Sequence, residues 1–431
     1  SIKKINRINL KEVFNQTNKV EELLNNDPSQ VFRKQTEETK EMYRKEIQKI
    51  SDKTKISEIY ISEEIIKLAS RYKDDKENKK SHVGYYLIDE GKYELKEQIL
   101  EKKVNRINKK RISRLYLIQM FIIPLIIDFA ITIKINVSEI LKLILTIIMY
   151  VPIYEIWKSS LNNILRHIIK QSKIPKINYE NGIDDQNKTM VVIPCILDNE
   201  AKVKEMFKKI EVYYLANEDK NIFFTLLGDC TTSEREVEKE DKKIIESGKE
   251  EAEKLNQKYN QNNKFNFLYR KRIWNPKETC YMGWERKRGL LIEFNRSILK
   301  QTKETFLVNT LEHFNEKIKY VITLDSDTNL IIDSAQKMVG AMSHILNKPV
   351  IEDKVVTEGY GIMQPRIGIS LEDSKKTIYT KIFSTTPGID FYTNNISDIY
   401  QDCFKEGIYT GKGIYDLEVY QKIIEKRFPE N

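Results

Sequence analysis

Two apolar segments interrupt a chain that is otherwise rich in charge, and they limit the possible folds more than any other feature. Charged residues make up 32% of the 431 residues. The apolar segments span residues 115–133 and 140–157, and each is close to the ~20 residues that a helix needs to cross a bilayer. Residues 134–139 form only a short link between them. This pattern predicts a helical hairpin.

Basic residues flank the outer ends of both segments. Those before the first are Lys102, Lys103, Arg106, Lys109, Lys110, Arg111 and Arg114, and those after the second are Lys158, Arg166, Lys170, Lys173 and Lys176. The positive-inside rule then predicts a membrane hairpin with both ends in the cytoplasm. Asp128 and Lys142 would be costly at mid-bilayer. The alternative is a helical hairpin buried in a soluble domain.

The residues before the hairpin are polar and have helical spacing of their apolar positions. Met42, Tyr43, Ile47 and Ile50 share one predicted helix face. Residues 59–72 repeat the pattern, whereas residues 82–89 are interpreted as a short extended run. The first residues contain no apolar core of a signal peptide. We therefore expect a helical region over residues 1–110.

After the hairpin the pattern changes to short apolar runs that alternate with helical segments. The runs are residues 190–193, 222–227, 265–269, 321–324 and 361–364. Such alternation predicts an α/β domain with a mainly parallel sheet. The expected organisation is residues 1–110 helical, 111–160 hairpin, 161–189 linker and 190–431 α/β domain.

One of these runs ends on two carboxylates, in the sequence Tyr320-Val-Ile-Thr-Leu-Asp-Ser-Asp327. If the run is a buried strand, Asp325 and Asp327 emerge at its carboxyl end, where α/β sheets bind their ligands. Two carboxylates so close repel each other unless a cation lies between them. A divalent ion that holds a diphosphate would suit them, although Asp-x-Asp also occurs in turns and calcium loops.

Residues 270–289 combine basic and aromatic side chains, including Trp274, Trp284 and Arg286. Between strands of an α/β sheet they predict a pocket for a phosphate-bearing ligand. The alternative is surface charge with core tryptophans. The formal net charge is only 73 − 64 = +9, and we expect no nucleic-acid partner. A further loop, Gly411-Lys-Gly413, permits close approach of a ligand to the backbone.

Other site classes lack their signatures in the sequence. The four cysteines are far apart and form no CxxC, and the four histidines have no metal-ligand spacing. There is no Walker loop and no GxSxG motif. Structural thiols in a reducing compartment are therefore expected rather than disulfides or a zinc site.

A series of sequence words carries a family resemblance. In chain order they are Trp274-Asn-Pro276, Met282-Gly-Trp-Glu-Arg-Lys-Arg-Gly289, Glu293-Phe-Asn-Arg296, Tyr320-Val-Ile-Thr-Leu-Asp-Ser-Asp-Thr328, Glu358-Gly-Tyr-Gly-Ile-Met-Gln-Pro-Arg366, Pro387-Gly-Ile-Asp390, Tyr400-Gln-Asp402 and Thr410-Gly-Lys-Gly-Ile-Tyr-Asp416. Together they resemble the glycosyltransferase region of cyclic β-1,2-glucan synthases, which are bacterial inner-membrane proteins. The hairpin and residues 82–89 also resemble the region before this family's transferase, so the resemblance covers most of the chain and is less firm only before about residue 80.

This resemblance implies a GT-A-like (Rossmann-like) domain that transfers glucose, with inversion, from UDP-glucose to a growing β-glucan. Its transferase domain would be cytoplasmic, beside the inner membrane. Mg²⁺ or Mn²⁺ would bind Asp325 and Asp327. The implied donor site comprises Pro194, Asp229, Trp284, Lys287, Gly289 and Asp325, and the implied acceptor site comprises Gly411, Lys412 and Gly413.

The family's general base lies downstream of the Gly-Lys-Gly loop, and we expect it beyond Asn431. An inverting transferase needs such a carboxylate. We expect Asp390, Asp398, Asp402 and Asp416 to cap, pair or lie in turns rather than replace it. The chain would then hold the donor half of a site, with weak or no turnover alone. Two alternatives stay open: another membrane β-glucan synthase, or a non-catalytic membrane fragment that binds UDP-sugar.

Overall fold

The computed structural model describes residues 19–104, 109–168, 173–300, 305–365, 373–378, 409 and 411–424. The chain divides into two units. One contains Ser1–Lys102, Ile174–Pro365 and Gly411–Asn431, and the other contains Lys103–Lys173 and Arg366–Thr410.

The first unit begins with short α-helices, as the spacing of apolar residues predicts. They are Lys19–Leu24 (α1), Glu37–Thr54 (α2), Glu58–Ser70 (α3), Val83–Ile88 (α4) and Gly91–Leu100 (α5). The hydroxyls of Thr36 and Ser57 cap α2 and α3 by accepting hydrogen bonds from backbone N–H groups. Tyr43 and Ile47 of α2 pack with Ile61 and Ile65 of α3 in one buried cluster.

The extended interpretation of residues 82–89 is wrong, because Val83–Ile88 is a helix. Val83, Tyr86 and Leu87 are all buried among the neighbouring helices. An element buried on every side reads as a continuous apolar run, which does not distinguish a short helix from a strand.

A seven-stranded sheet forms the centre of the α/β part. Its strands are Thr189–Ile196 (β1), Ile222–Asp229 (β2), Phe265–Arg270 (β3), Phe306–Asn309 (β6), Tyr320–Thr323 (β7), Ile362–Met363 (β10) and Gly413–Asp416 (β11). They lie in the order β10-β11-β7-β1-β2-β3-β6. Strands β7, β1, β2 and β3 run parallel, whereas β6, β11 and β10 pair antiparallel with their neighbours. The mixed α/β class with a mainly parallel centre is confirmed.

Helices cover both faces of this sheet. Val191 and Ile193 of β1 face one core, which Glu200–Ala216 (α8), Lys239–Lys258 (α9) and Ser334–Ser343 (α11) complete. Met190 and Val192 face the other core, where Arg286–Ile298 (α10) packs. Because the strands are buried on both sides, they read as continuous apolar runs.

The sequence-based description of the sheet needs three corrections. Residues 270–289 are not one loop, since they contain a hairpin, Ile273–Asn275 (β4) with Cys280–Met282 (β5), and the first turn of α10. A second hairpin joins Val350–Glu352 (β8) to Val355–Glu358 (β9). Strand β1 also continues through Pro194, where the expected run stops.

Pro194 is tolerated in β1 because of the side it faces. The carbonyl of Val192 accepts a hydrogen bond from Leu324 N at 3.1 Å, so the backbone polar groups of Val192 point towards β7. By alternation the backbone nitrogen of Pro194 points towards the same side, but the pairing of β1 with β7 ends at Val192. Its missing N–H therefore leaves no ladder partner unsatisfied.

The second unit contains two long helices, Lys109–Thr132 (α6) and Glu139–Ile168 (α7). Within them, Ser113–Thr132 and Glu139–Leu165 have mean hydropathies of 2.1 and 1.7 and are long enough to cross a membrane. The two helices pack on each other through Tyr116, Met120 and Leu161. Their other faces expose large apolar side chains, such as Phe129 and Ile140.

Asp128 lies on the inner side of this helix pair. It is fully buried, and its Oδ1 accepts a hydrogen bond from Thr132 Oγ1 at 3.3 Å. The carboxyl group of Asp128 is therefore absent from the exposed apolar faces of the two helices.

Candidate functional site

Asp325 and Asp327 lie where the sequence places them, just beyond the carboxyl end of β7. The turn that carries them is fixed by α8: Lys209 Nζ donates to Ser326 O at 2.6 Å, and the Tyr213 hydroxyl donates to Thr328 O at 2.5 Å. These two positioning side chains were missed by sequence reasoning. Their spacing on α8 resembles that of any amphipathic helix, so the sequence carries no signal for their role.

Two lysines from distant parts of the chain bind the half-buried Asp325 carboxylate. Lys412 Nζ lies 2.9 Å from Oδ2, and Lys287 Nζ donates a hydrogen bond to Oδ1. Burial raises the pKa of Asp325, but the hydrogen bonds and charges of the two lysines outweigh it and hold the pKa below its usual value. The cluster is therefore an ionised carboxylate between two cations.

The loop before β11 joins this cluster through its backbone. Lys287 Nζ donates to Gly411 O at 3.0 Å, and Thr323 Oγ1 donates to the same oxygen at 2.9 Å. The structure thus brings a predicted acceptor residue against predicted donor residues. Residue 411, with φ of +84°, and residue 413, with φ of +146°, both favour glycine.

Gly413 also allows a close approach between strands. A Cβ at this position would lie 2.4 Å from Met363 O. Gly413 pairs with Thr323 of β7, and continuing this antiparallel register places Lys412 opposite Leu324, from where its side chain reaches Asp325. The Gly-Lys-Gly segment therefore delivers a lysine to the end of the central strand.

Asp327 is exposed and contacts Thr328 Oγ1 at 3.3 Å. Among the described residues, no group of three or more His, Cys, Asp or Glu side chains could hold a metal ion. A divalent ion such as Mg²⁺ needs about six oxygen ligands, so phosphate and water would supply most of them here. Asp327 fits this role as it stands. Asp325 keeps lone pairs for such an ion, but the two ammonium groups beside it would repel a divalent cation.

Asp229, the other predicted donor-binding carboxylate, is buried at the end of β2. Arg270 donates two hydrogen bonds to its carboxylate, from Nε to Oδ1 at 2.6 Å and from a terminal nitrogen to Oδ2 at 2.9 Å. The same guanidinium donates to Trp284 O at 2.8 Å and to Arg286 O at 2.9 Å. Burial raises the pKa of the neighbouring Glu293, and the charge of Arg270 offsets this only in part.

Arg270 therefore organises the segment that carries Trp284. This role was missed, although the sequence offers one signal: an arginine that ends an otherwise apolar strand needs a buried partner. Trp284 is half-buried, and a Cβ at residue 289 would lie 1.9 Å from its carbonyl oxygen. Gly289 thus permits the tight turn from Trp284 into α10. Pro194 is buried at the carboxyl end of β1, opposite Leu227.

Asp416 does not belong to this edge of the sheet. It pairs in register with Tyr320 at the start of β7, whereas Asp325 follows the end of β7. Its Oδ1 accepts a hydrogen bond from Val419 N at 3.1 Å, and its Oδ2 lies 2.8 Å from Lys319 Nζ. Asp416 caps and pairs, as expected. Asp390, Asp398 and Asp402 lie outside the described residues.

Comparison with known proteins identifies the family. No family model matches the chain. The cyclic β-(1,2)-glucan synthase NdvB of Rhizobium meliloti (strain 1021) is 34% identical over 319 residues, which cover 73% of this chain. The matched part spans only 11% of that relative's length. With this identity over most of its residues, the chain belongs to the cyclic β-1,2-glucan synthase family.

Proposed function

We propose that this chain forms the donor-binding part of a GT-A-type glycosyltransferase, which transfers glucose from UDP-glucose to a growing β-glucan with inversion. The observation that carries the proposal is the cluster of Lys287, Lys412 and Asp325 at the carboxyl edge of a parallel sheet. That edge is where open α/β sheets bind nucleotides. The family relationship supports transfer of a sugar in glucan synthesis.

The cluster has the chemistry that a nucleotide-sugar diphosphate requires. Lys287 and Lys412 are half-buried cations that can donate to phosphate oxygens. Mg²⁺ or Mn²⁺ held by Asp327 and Asp325 would offset the negative charge that develops on the leaving diphosphate. We further propose that Trp284, Gly289, Asp229 and Pro194 shape the donor pocket around these charges.

The acceptor glucan would approach the Gly411–Gly413 loop, which lies directly against the cluster. Asp325 is a poor general base, because two lysines hold its pKa low. Asp416 is buried at the other end of its strand. We therefore propose neither Asp325 nor Asp416 as the general base, and we expect weak or no turnover by residues 1–431 alone.

We propose that α6 and α7 form a hairpin in the bacterial inner membrane, with both outer ends and the α/β part in the cytoplasm. The length of both helices, their exposed apolar faces and the basic residues at their outer ends support this. A buried hairpin in a soluble protein would not expose residues such as Phe129 and Ile140.

The test is calorimetric titration of UDP-glucose, with and without Mn²⁺, into the full chain in detergent. We expect binding that is lost in Lys287→Met and kept in Lys249→Met, a matched change of an exposed lysine on α9. Absence of binding to folded wild-type protein would refute the donor site. Binding without product fits a donor-binding part, whereas radiolabelled glucan formed by this chain alone would show that the chain contains its own general base and would refute the expected loss of turnover.

A further inference from the structure

We propose that Lys287 and Lys412 lock Asp325 when the site is empty of ligand, so that a nucleotide diphosphate and a divalent cation bind as a linked pair. The diphosphate draws the lysines away, and the released carboxylate then accepts the cation. This inference rests on the proposed function, and it adds to it a rule for how the two ligands depend on each other.

The first support is that both oxygens of Asp325 are occupied. Lys287 donates to Oδ1 and Lys412 lies 2.9 Å from Oδ2. Each oxygen keeps a further lone pair, but a divalent ion bound there would lie close to two ammonium groups, whose repulsion is strong in a half-buried site.

The second support is that the lysines can leave. Their side chains are 34% and 15% exposed, and the carboxylate itself is 28% exposed. Lysine is a point charge on a flexible four-carbon stem, so it can turn from a carboxylate to a phosphate oxygen without rebuilding the backbone. Gly411 O, the second acceptor of Lys287, would keep that ammonium near the site.

The third support is the balance of charge. Lys287 and Lys412 balance Asp325 and Asp327 before any ligand binds. A divalent cation alone would leave the site strongly positive, and a nucleotide-sugar diphosphate alone would leave it strongly negative. The two together restore neutrality, and each therefore raises the affinity of the other by the same factor.

The experiment measures Mn²⁺ binding by electron paramagnetic resonance, using the full chain in detergent with and without UDP. We expect UDP to tighten Mn²⁺ binding to the wild type. In Lys412→Met without UDP, we expect Mn²⁺ to bind about tenfold more tightly than to the wild type, a factor in the usual range of site-to-site coupling. The extra affinity from UDP should shrink by a similar factor.

Controls separate the lock from other effects. Lys249→Met should bind Mn²⁺ like the wild type. Lys287→Met should show the same effect as Lys412→Met, so that either variant can test the lock if the other folds poorly. Adding Asp325→Asn to Lys412→Met should remove the gain. Unchanged Mn²⁺ affinity in both lysine variants without UDP overturns the lock, even if UDP binds. Failure of UDP to bind the wild type counts instead against the proposed donor site.

Discussion

Asp229 ends β2 and Asp325 follows β7, the two strands that flank β1, and the family resemblance implies a donor-site role for both. Their surroundings differ sharply. Asp229 and its partner Arg270 are almost fully buried and share two hydrogen bonds of a planar fork. Asp325 is half-exposed and is held by two separate lysines. The comparison teaches that burial and partner geometry, rather than position at a strand end, separate a fixed carboxylate from an exchangeable one.

The physical difference lies in what each cation loses by leaving. The guanidinium of Arg270 also donates to the carbonyl oxygens of Trp284 and Arg286. If it moved away, these oxygens and the Asp229 carboxylate would lose hydrogen bonds in a buried site. The lysines lose less because water reaches their ammonium groups. We therefore expect the first pair to control stability and the second to control ligand binding.

The largest expected effect comes from breaking the buried pair. Arg270→Met leaves the Asp229 carboxylate buried without a cation, and loss of one partner of a buried pair costs about 3–5 kcal/mol. Urea unfolding followed by tryptophan fluorescence measures this loss. Arg235→Met, at an exposed arginine, is the control and should change stability little. Equal stabilities of the two variants would show that Arg270 has no structural role.

A third polar cluster is buried like the Asp229 pair, but it contains histidines and should make stability depend on pH. Asp27 Oδ2 lies 2.8 Å from His82 Nδ1, and Gln35 Nε2 links His82 Nε2 at 3.0 Å to His344 Nε2 at 2.7 Å. Burial, reinforced by His82 and opposed by Asp27, holds the pKa of His344 well below 6.5. The unfolded chain therefore binds a proton below pH 6.5 that the folded chain does not.

Stability should accordingly fall as pH drops below 6.5, by up to about 1.4 kcal/mol per pH unit from this group. Burial raises the pKa of Asp27, but His82 together with hydrogen bonds from Ser29 and the Phe32 backbone outweighs burial and keeps the pKa lowered, so the Asp27 contribution is lost only at more acid pH. Urea unfolding between pH 5 and 7 measures the slope. His344→Gln should flatten it, and an unchanged slope would exclude His344 as its source.

The smallest effect is expected at the exchangeable carboxylate. Asp325→Asn should change the free energy of unfolding by less than about 1 kcal/mol, because water reaches both of its lysine pairs and screens them. The same urea assay and the UDP-glucose titration should separate the two properties, with stability kept and binding lost. A stability loss as large as that of Arg270→Met would show that Asp325 is a structural residue like Asp229 and would contradict the proposed difference between them.

The centre of the fold was predictable, whereas its edges were not. Strands β1, β2, β3 and β7 are apolar runs because helices bury both faces of the sheet. Strand β6 is short, and β11 opens on Gly413, which no strand pattern favours. Their positions depend on pairing with distant strands, which periodicity within a short window does not report.

In the candidate site, too, some residues were predicted from the sequence and some contacts were not. Asp325, Lys287 and Lys412 were predicted from separate motifs, and the structure joins them. The sequence signals that Arg270 needs a buried partner but not that the partner is Asp229, since their contact depends on the side-by-side packing of β2 and β3. The helix at Val83–Ile88 was missed because its apolar run fits either period.

The antiparallel insertion of β11 has a consequence for the order of events during synthesis. Gly413 pairs with Thr323 across 413 − 323 = 90 residues, and β11 separates β7 from β10. At about 5–20 residues per second, a ribosome needs about 5–18 s to produce the later partner after the earlier one. For that interval β7 has an open edge, and Asp325 waits without Lys412. The cluster is therefore among the last parts of the sheet to assemble on a nascent chain.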